Sequence, residues 1–166
     1  MIDKGVHVYA TNEDFCRVFT QDMARLYPLA LLLTANPHDA EQCFIAALDD
    51  CMQMNSVFNK FAKSWCRRAI IKNAIQRIRP GVSGERRNED VVHLNDQLAA
   101  VTRLEAFGRF VFVISIPEGC SDHECSILLD STRTDLIRAR VCALHQLNSI
   151  QRFESQTEEI MGAVEG

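Results

Sequence analysis

Lysines, arginines and aromatic rings are concentrated in residues 60–88. That stretch carries nine basic and one acidic side chain, whereas the whole 166-residue chain has a net charge of −4. Phosphates respond to local charge, because salt screens interactions beyond about 8–10 Å in the cell. Unpaired bases stack on aromatic rings, and Phe58, Phe61 and Trp65 lie among these cations. The stretch predicts nucleic-acid contact, against the alternative of a solvated basic face with Trp65 in the core.

A second basic segment covers residues 131–152, with four basic and one acidic side chain. It opens with Thr132-Arg133-Thr134-Asp135, in which a hydroxyl at the N-cap and an acid three residues later are typical of a helix start. Hydroxyl and guanidinium groups on the first turns of a helix hydrogen-bond phosphates and guanine edges in the major groove. The residues predicted to contact DNA here are Thr132, Arg133, Thr134, Arg138 and Arg140.

Other kinds of chemistry find little support. Cys120, His123 and Cys125 lie close together, but they are three ligands at spacings unlike a zinc knuckle, so ordinary buried thiols are the favoured interpretation. The chain has no nucleophile elbow, zinc-protease motif, phosphate loop or dinucleotide fingerprint. We therefore predict no catalytic residue, metal or cofactor, and we expect that the protein is not an enzyme.

The composition favours an all-α fold. Hydrophobic residues make up 47% of the chain, and seven glycines and four prolines are too few for the many tight turns of a β-sandwich. No apolar run reaches the ~18 residues that span a bilayer, and the first residues lack the apolar core of a secretory signal. We therefore expect a cytoplasmic protein without membrane insertion. The seven cysteines include no C-x-x-C pair, and buried, reduced thiols are predicted at Cys16, Cys43, Cys51, Cys66 and Cys142.

Apolar spacing and cap residues predict the helices of the first half. Asn12 is the expected N-cap of a first helix that continues past Leu26, and Pro28 either kinks it or begins the next segment. Asn36, followed by Pro37 and Asp39, starts a second helix that runs to about Met52. After a loop over residues 53–61, residues 62–79 form an amphipathic helix. Its apolar side holds Cys66, Ile70, Ile71, Ala74 and Ile78, and its basic side holds Arg68, Lys72 and Arg79 with Trp65 at the edge.

The second half follows a connector rich in glycine and polar residues over 80–88. An apolar helix is predicted over residues 104–116. A capping box, Ser121-Asp122-His123-Glu124, then starts a short helix, and the tight Asp130-Ser131 link joins it to the helix from Thr132. This is a helix-turn-helix whose second member is basic. The predicted organisation is a helical domain over 1–79, a linker over 80–100, a helix-turn-helix domain over 101–152 and an acidic tail over 153–166.

The order of these features resembles the small sigma factors of the sigma-70 family, the extracytoplasmic-function group. The similarity covers about residues 24–148. In the first half it rests on residues 26–34, on Asn36-Pro37-His38-Asp39-Ala40-Glu41, on Ser64-Trp65 and on Lys72-Asn73-Ala74. In the second half it rests on Phe107-Gly108-Arg109-Phe110-Val111-Phe112-Val113, Glu118-Gly119, Ser121-Asp122-His123-Glu124 and Leu128-Leu129.

The resemblance implies a transcription initiation factor with three contacts. The helix from Pro37 would bind core RNA polymerase through Asp39, Glu41, Gln42 and Ile45. The basic segment would open and hold the −10 element of double-stranded promoter DNA, with Asn55, Ser56 and Asn59 around a flipped base. The residues implied at the −10 element are Lys60, Lys63, Trp65, Arg67, Arg68, Lys72, Asn73 and Arg79. The helix from Thr132 would read the −35 element in the major groove.

Two other functions remain open. The family usually has a polar pair, Gln-Glu or Gln-Asp, where this chain has Ile45 and Ala46. Without this pair the chain would lack polar contacts to core polymerase. The second hypothesis is therefore a sigma-fold module that binds a protein and does not initiate transcription, with an anti-sigma factor as candidate partner. The third hypothesis is a simple helix-turn-helix regulator with an N-terminal helical domain. Binding to core polymerase distinguishes the first hypothesis from the other two.

Overall fold

A computed structural model describes residues 8–81 and 96–164. Within these ranges the chain forms eight α-helices and one 3-10 turn, and its extended segments meet only at an isolated antiparallel bridge between Tyr9 and Phe58. The predicted all-α fold is confirmed. Contacts between residues divide the chain into two compact units, Met1–Arg79 and Pro80–Gly166.

The first unit is a bundle of four helices and the 3-10 turn. Its elements are α1 (Asn12–Gln21), α2 (Met23–Thr34), α3 (Pro37–Met52), the turn Asn59–Phe61 and α4 (Ala62–Ile78). The apolar side predicted for α4 is buried, with Cys66 and Ile70 fully enclosed and Ile78 half-buried. Phe15 of α1 and Leu33 of α2 are also fully buried. The bundle therefore leaves one side of α4 in solvent.

The start of α1 and its boundary with α2 differ from the prediction. Thr11, and not Asn12, is the N-cap: its hydroxyl accepts a hydrogen bond from the Asp14 amide at 3.2 Å, and the Asp14 carboxylate accepts one from the Thr11 amide at 2.9 Å. The first helix stops at Gln21, because the backbone of Asp22 leaves helical geometry with φ −99° and ψ 16°, and Leu26 belongs to α2. Pro28 lies inside α2. The predicted continuation past Leu26 and the break at Pro28 are wrong.

The boundaries of α3 and α4 agree closely with the prediction. The Asn36 side chain accepts a hydrogen bond from the Asp39 amide at 3.0 Å, and Pro37 occupies the first turn, where a missing N–H costs no helical bond. Ala35 ends α2 in the left-handed region with φ 55°. Arg79 ends α4 in the same way, with φ 50°.

The second unit contains α5 (Asp96–Thr102), α6 (Ala106–Ser115), α7 (Asp122–Leu129) and α8 (Arg133–Val164). The most buried side chains lie mainly on α6, whose Phe110 and Ile114 are enclosed, and Leu136 contributes from α8. A Cβ at Gly108 would lie 3.2 Å from the Glu105 carboxylate and 3.9 Å from the Ala143 Cβ. The absence of a Cβ at Gly108 thus leaves room for the Glu105 side chain, which caps α6 by accepting a hydrogen bond from the Gly108 amide at 2.7 Å.

The two capped helices and the short turn predicted between them are present in this unit. Ser121 and Glu124 form the capping box of α7, and Asp130 ends that helix in the left-handed region with φ 46°. The Thr132 hydroxyl accepts a hydrogen bond from the Asp135 amide at 3.2 Å, so it caps α8 as predicted. These short polar caps make the turn between α7 and α8 tight.

Two predicted boundaries in this half are corrected. The last five residues of the predicted linker, 96–100, belong to α5. The backbone of the predicted acidic tail, 153–166, continues α8 as far as Val164, since this segment contains many good helix formers and no proline. Residues 82–88 of the predicted connector lie outside the described residues.

The cysteine prediction is partly wrong. Cys43, Cys51 and Cys66 are buried as expected, but Cys16 and Cys142 are exposed, because each lies on the solvent side of its helix. Cys125, which was assigned to an apolar helix position, is buried. The seven cysteines all lie among the described residues, and none of them forms a disulfide. No helix in the described part of the chain is long and apolar enough to cross a membrane.

Candidate nucleic-acid interface

The solvent side of α4 carries a basic stripe, which we define as Arg68, Lys72 and Arg79. All three are exposed. Arg68 and Lys72 are four residues apart and share one face of α4, and Arg79 follows as the C-cap of the same helix. Lys72 and Arg79 form no ion pair with any described residue, whereas Arg68 has an interaction within the protein. The stripe therefore presents a row of cations to solvent.

Other cations of this segment are engaged by carboxylates of the first unit. The Lys63 ammonium lies 3.2 Å from the Asp22 carboxylate, and the Arg77 guanidinium lies 3.1 Å from that of Asp39. Arg67 is exposed but also has an internal interaction. Such exposed pairs are worth little and exchange easily with solvent or phosphate. They lower the net positive charge of this surface without burying the cations.

Asn73 and Trp65 face the protein more than the other residues predicted at the −10 element. The Asn73 side-chain amide donates to the Asp50 carboxylate of α3 and to the Ala69 carbonyl, both at 2.9 Å. Trp65 is half-buried beside the basic stripe. The amide of Asn73 thus joins α3 to α4, and part of the Trp65 ring remains accessible.

Three aromatic rings form an exposed cluster, which we call the aromatic cluster: Tyr9, Phe58 and Phe61. Their exposed fractions are 48%, 45% and 51%. The Tyr9 and Phe58 rings stack with centroids 5.1 Å apart, and Phe58 meets Phe61 edge to face at 6.4 Å. The Lys60 ammonium lies 4.9 Å from the centroid of the Phe61 ring. Aromatic faces beside a cation are the groups that a nucleobase and its phosphate require.

Backbone pairing positions the aromatic cluster. The Ala10 amide donates to the Val57 carbonyl at 2.7 Å, and the Asn59 amide donates to the Val8 carbonyl at 2.9 Å. These two bonds hold the segment before α1 against the loop before α4. Phe61 is the N-cap of α4 and lies seven residues before Arg68, so the aromatic cluster stands at the N-terminal end of the helix that carries the basic stripe.

Tyr9 was missed by sequence reasoning because it is 49 residues from Phe58 and carries no motif. The polar residues predicted around a flipped base, Asn55, Ser56 and Asn59, are all exposed in the same loop. Loop, cluster and stripe therefore belong to one continuous part of the first unit.

The helix-turn-helix presents fewer cations than predicted. Thr134 and Arg138 are exposed, and Arg138 forms no ion pair with a described residue. Arg133 and Arg140 both pair with the Asp122 carboxylate of α7. The hydrogen bond from Arg140, together with the charge of both arginines, lowers the pKa of Asp122 below its usual value.

Arg140 joins three helices. Its guanidinium donates to Asp122 at the start of α7 and, at 3.2 Å, to the Ser115 hydroxyl at the end of α6. Its side chain is 25% exposed. These bonds give Arg140 a structural role at the position where sequence reasoning expected a base or phosphate contact.

The residues predicted to bind polymerase lie on the first half of α3. Glu41 and Ile45 are exposed, and their spacing of four residues puts them on one face. Gln42 is half-buried, and Asp39 is engaged by Arg77. An exposed isoleucine beside a carboxylate suits a contact with another protein better than a contact with nucleic acid.

A buried arginine in the second unit is structural. Arg109 is 2% exposed, and its guanidinium donates to the carbonyls of Leu104 at 2.8 Å and Thr102 at 3.3 Å. Unlike the exposed cations, it supplies hydrogen bonds to the backbone carbonyls of the turn between α5 and α6.

Among the described residues, no group of three or more histidine, cysteine or acidic side chains is arranged to hold a metal ion.

Comparison with known proteins adds no relative: no family model, curated protein or solved structure matches this chain.

Proposed function

We propose that the protein is a sigma-like transcription initiation factor that binds core RNA polymerase and promoter DNA. The observation that carries the proposal is the adjacency of the aromatic cluster and the basic stripe on one unit. A double helix hides its base faces, so exposed rings in series with cations suit DNA whose strands have separated. Opening the −10 element creates such DNA.

The second unit supports a complementary contact with duplex DNA. A tight helix-turn-helix places the first turns of its second helix in the major groove. Thr134 and Arg138 are exposed on those turns of α8, and they carry the group types that bond base edges and phosphates. We therefore assign the −35 contact to α8, with Arg138 as its principal cation.

Exposed Glu41 and Ile45 support the assignment of α3 to core polymerase. An exposed isoleucine with a carboxylate on the same helix face offers an apolar contact with a polar rim, the arrangement of a protein–protein interface. Their side chains are accessible in the free protein. A factor with this function works in the cytoplasm and needs no catalytic residue or cofactor.

A protein-interaction module is the second candidate. It is favoured by Asp122, which pairs with two arginines of the helix-turn-helix and so reduces the charge offered to DNA. A module of this kind would bind an anti-sigma factor or another protein and leave promoters closed.

The test combines the full chain with core polymerase and a promoter library. A stable complex with core, run-off transcripts and permanganate-reactive thymines near position −10 are expected. Absence of a complex together with binding to another protein would replace the proposal with the interaction module. Duplex binding in the absence of any interaction with core would indicate a simple helix-turn-helix regulator.

Charge reversal in the basic stripe gives a sharper version of this test. Lys72→Glu should reduce permanganate reactivity and make the dependence of log affinity on log salt shallower by about 0.7–0.9, since one phosphate contact is lost. Arg25→Glu is the matched control, because Arg25 is an exposed arginine on α2 and not a member of the stripe. Equal slopes for wild type and Lys72→Glu would contradict the assignment of the stripe.

A further inference from the structure

An apolar stripe lies on the solvent side of α8. Ile137, Val141 and Leu144 are 45%, 60% and 42% exposed. Their spacings of four and three residues align them on one face of the helix. The side chains of α8 that pack into the second unit, Leu136 and Ala143, form a separate buried row. The exposed stripe is therefore additional to the apolar face that the fold requires.

Polar and basic groups flank this stripe. Thr134 precedes Ile137 by three residues, and Arg138 follows it by one. Arg138, His145 and Arg152 recur every seven residues along the neighbouring line of the helix, and all three are exposed. If a second copy of this chain packed against the apolar stripe, its basic row would lie next to the basic row of the first copy, and the like charges would repel each other. The flanking charge instead complements a polyanion.

The major groove of DNA offers one apolar feature, the C5 methyl group of thymine. A helix that enters the groove contacts bases through its first turns. Ile137 and Val141 lie in the first three turns of α8, on the same exposed side as Thr134 and Arg138. Leu144 lies further along the helix and receives no base contact in this arrangement.

We propose that Ile137 and Val141 read thymine methyl groups in the duplex element bound by α8. This inference rests on the proposed function, because it assigns specificity within the −35 contact. Arg138 binds the neighbouring phosphate or guanine edge, and the two aliphatic side chains select thymine. The preferred element is thus a duplex that contains thymine at one or two adjacent positions.

The experiment replaces thymine with uracil, which differs only by that methyl group. Duplexes are first selected from a random library by the full chain, alone and with core polymerase. The selected duplexes are then synthesised in two forms, one with thymine and one with uracil at each thymine position. Affinity is measured by fluorescence anisotropy. Uracil at the contacted positions should weaken binding about fourfold per methyl, the change in equilibrium constant that burial of one methylene-sized group brings.

Two variants and a control assign the effect to the stripe. Ile137→Ala and Val141→Ala should each abolish the thymine preference at one position and keep helical content unchanged by circular dichroism. Ile127→Ala should retain the preference, because Ile127 is an exposed isoleucine, 67% accessible, on α7 and outside the stripe.

The outcomes separate this inference from the function on which it rests. Equal affinity for thymine and uracil duplexes, or a preference that survives both variants, would overturn the inference and leave DNA binding intact. Absence of salt-dependent binding to any duplex would overturn both. Concentration-dependent dimerisation that Val141→Asp abolishes, without duplex binding, would assign the stripe to a second copy of the chain.

Discussion

Asp122 shows how one carboxylate changes the interpretation of two arginines. Both Arg133 and Arg140 looked available for DNA from their positions at the start of a basic helix. The fold brings Asp122 of α7 against both of them. These ion pairs hold α7 against α8, and they reduce the positive charge of the surface that would contact DNA.

The depressed pKa of Asp122 makes the stability of the second unit depend on pH. A carboxylate whose pKa is lower in the folded state stabilises that state at pH values above its unfolded pKa of 3.8. The stabilisation is lost as the pH falls from there through the lower folded value. Asp122→Asn should therefore lower the melting temperature near pH 6, and the difference from wild type should narrow toward pH 3.

Thermal unfolding followed by circular dichroism at several pH values measures this difference. Asp130→Asn is the control, since Asp130 is exposed at a left-handed helix end, where asparagine is equally tolerated. A difference between Asp122→Asn and wild type that stays constant from pH 6 to pH 3 would show that the two arginines do not act through this carboxylate.

The capping box of α1 links a helix to the aromatic cluster. Thr11 caps the helix, and the residues directly before it are held on the loop before α4. Thr11→Ala should lower the free energy of unfolding by about 1 kcal/mol, the usual cost of a lost N-cap. Urea denaturation measures it. Thr20→Ala is the matched control, because the Thr20 hydroxyl donates only to the Cys16 carbonyl within the same helix. An equal loss of unfolding free energy in Thr20→Ala and Thr11→Ala would contradict the capping role.

Helix boundaries were predictable where a cap has several agreeing signals. Asn36, Pro37 and Asp39 act together, and α3 begins where they predict. The boundary between α1 and α2 has no such signal, and Pro28 suggested a break that the structure places at Asp22. Packing of α2 in the core offsets the hydrogen bond that a proline inside a helix removes.

The cysteines of the whole chain differ in exposure: Cys16 and Cys142 are exposed, Cys120 is half-buried, and the other four are buried. Burial raises the pKa of Cys43 to about 12 and that of Cys125 to about 11, and the hydrogen bond with Cys51 together with burial raises the pKa of Cys66. Since thiolates are the reactive form, these cysteines should resist alkylation in the native protein. Iodoacetamide with peptide mass spectrometry should modify Cys16 and Cys142 first.

The control for alkylation is the same reaction in urea, in which every cysteine should react at a similar rate. Rapid native modification of Cys43 or Cys66 would mean that α3 and α4 separate in solution. Protection of Cys142 would mean that another surface covers α8.

Much of the candidate interface could be predicted from local pattern. The concentration of cations, their spacing of four and seven residues and the turn between two capped helices are properties of neighbouring residues, so periodicity and cap chemistry reveal them. The all-α class follows from the same signals. The role of Arg140, the pairing of Lys63 with Asp22 and the contribution of Tyr9 were not predictable, because each depends on a partner in another element.

The amino-acid sequence alone determined the amphipathic helices, most of their caps and the two concentrations of positive charge, since these depend on residues a few positions apart. The folded molecule decided which cations stay in solvent, which aromatic rings meet and which aliphatic side chains remain outside the core. Those outcomes depend on contacts between residues distant in the chain, and side-chain packing settles them when the helices come together.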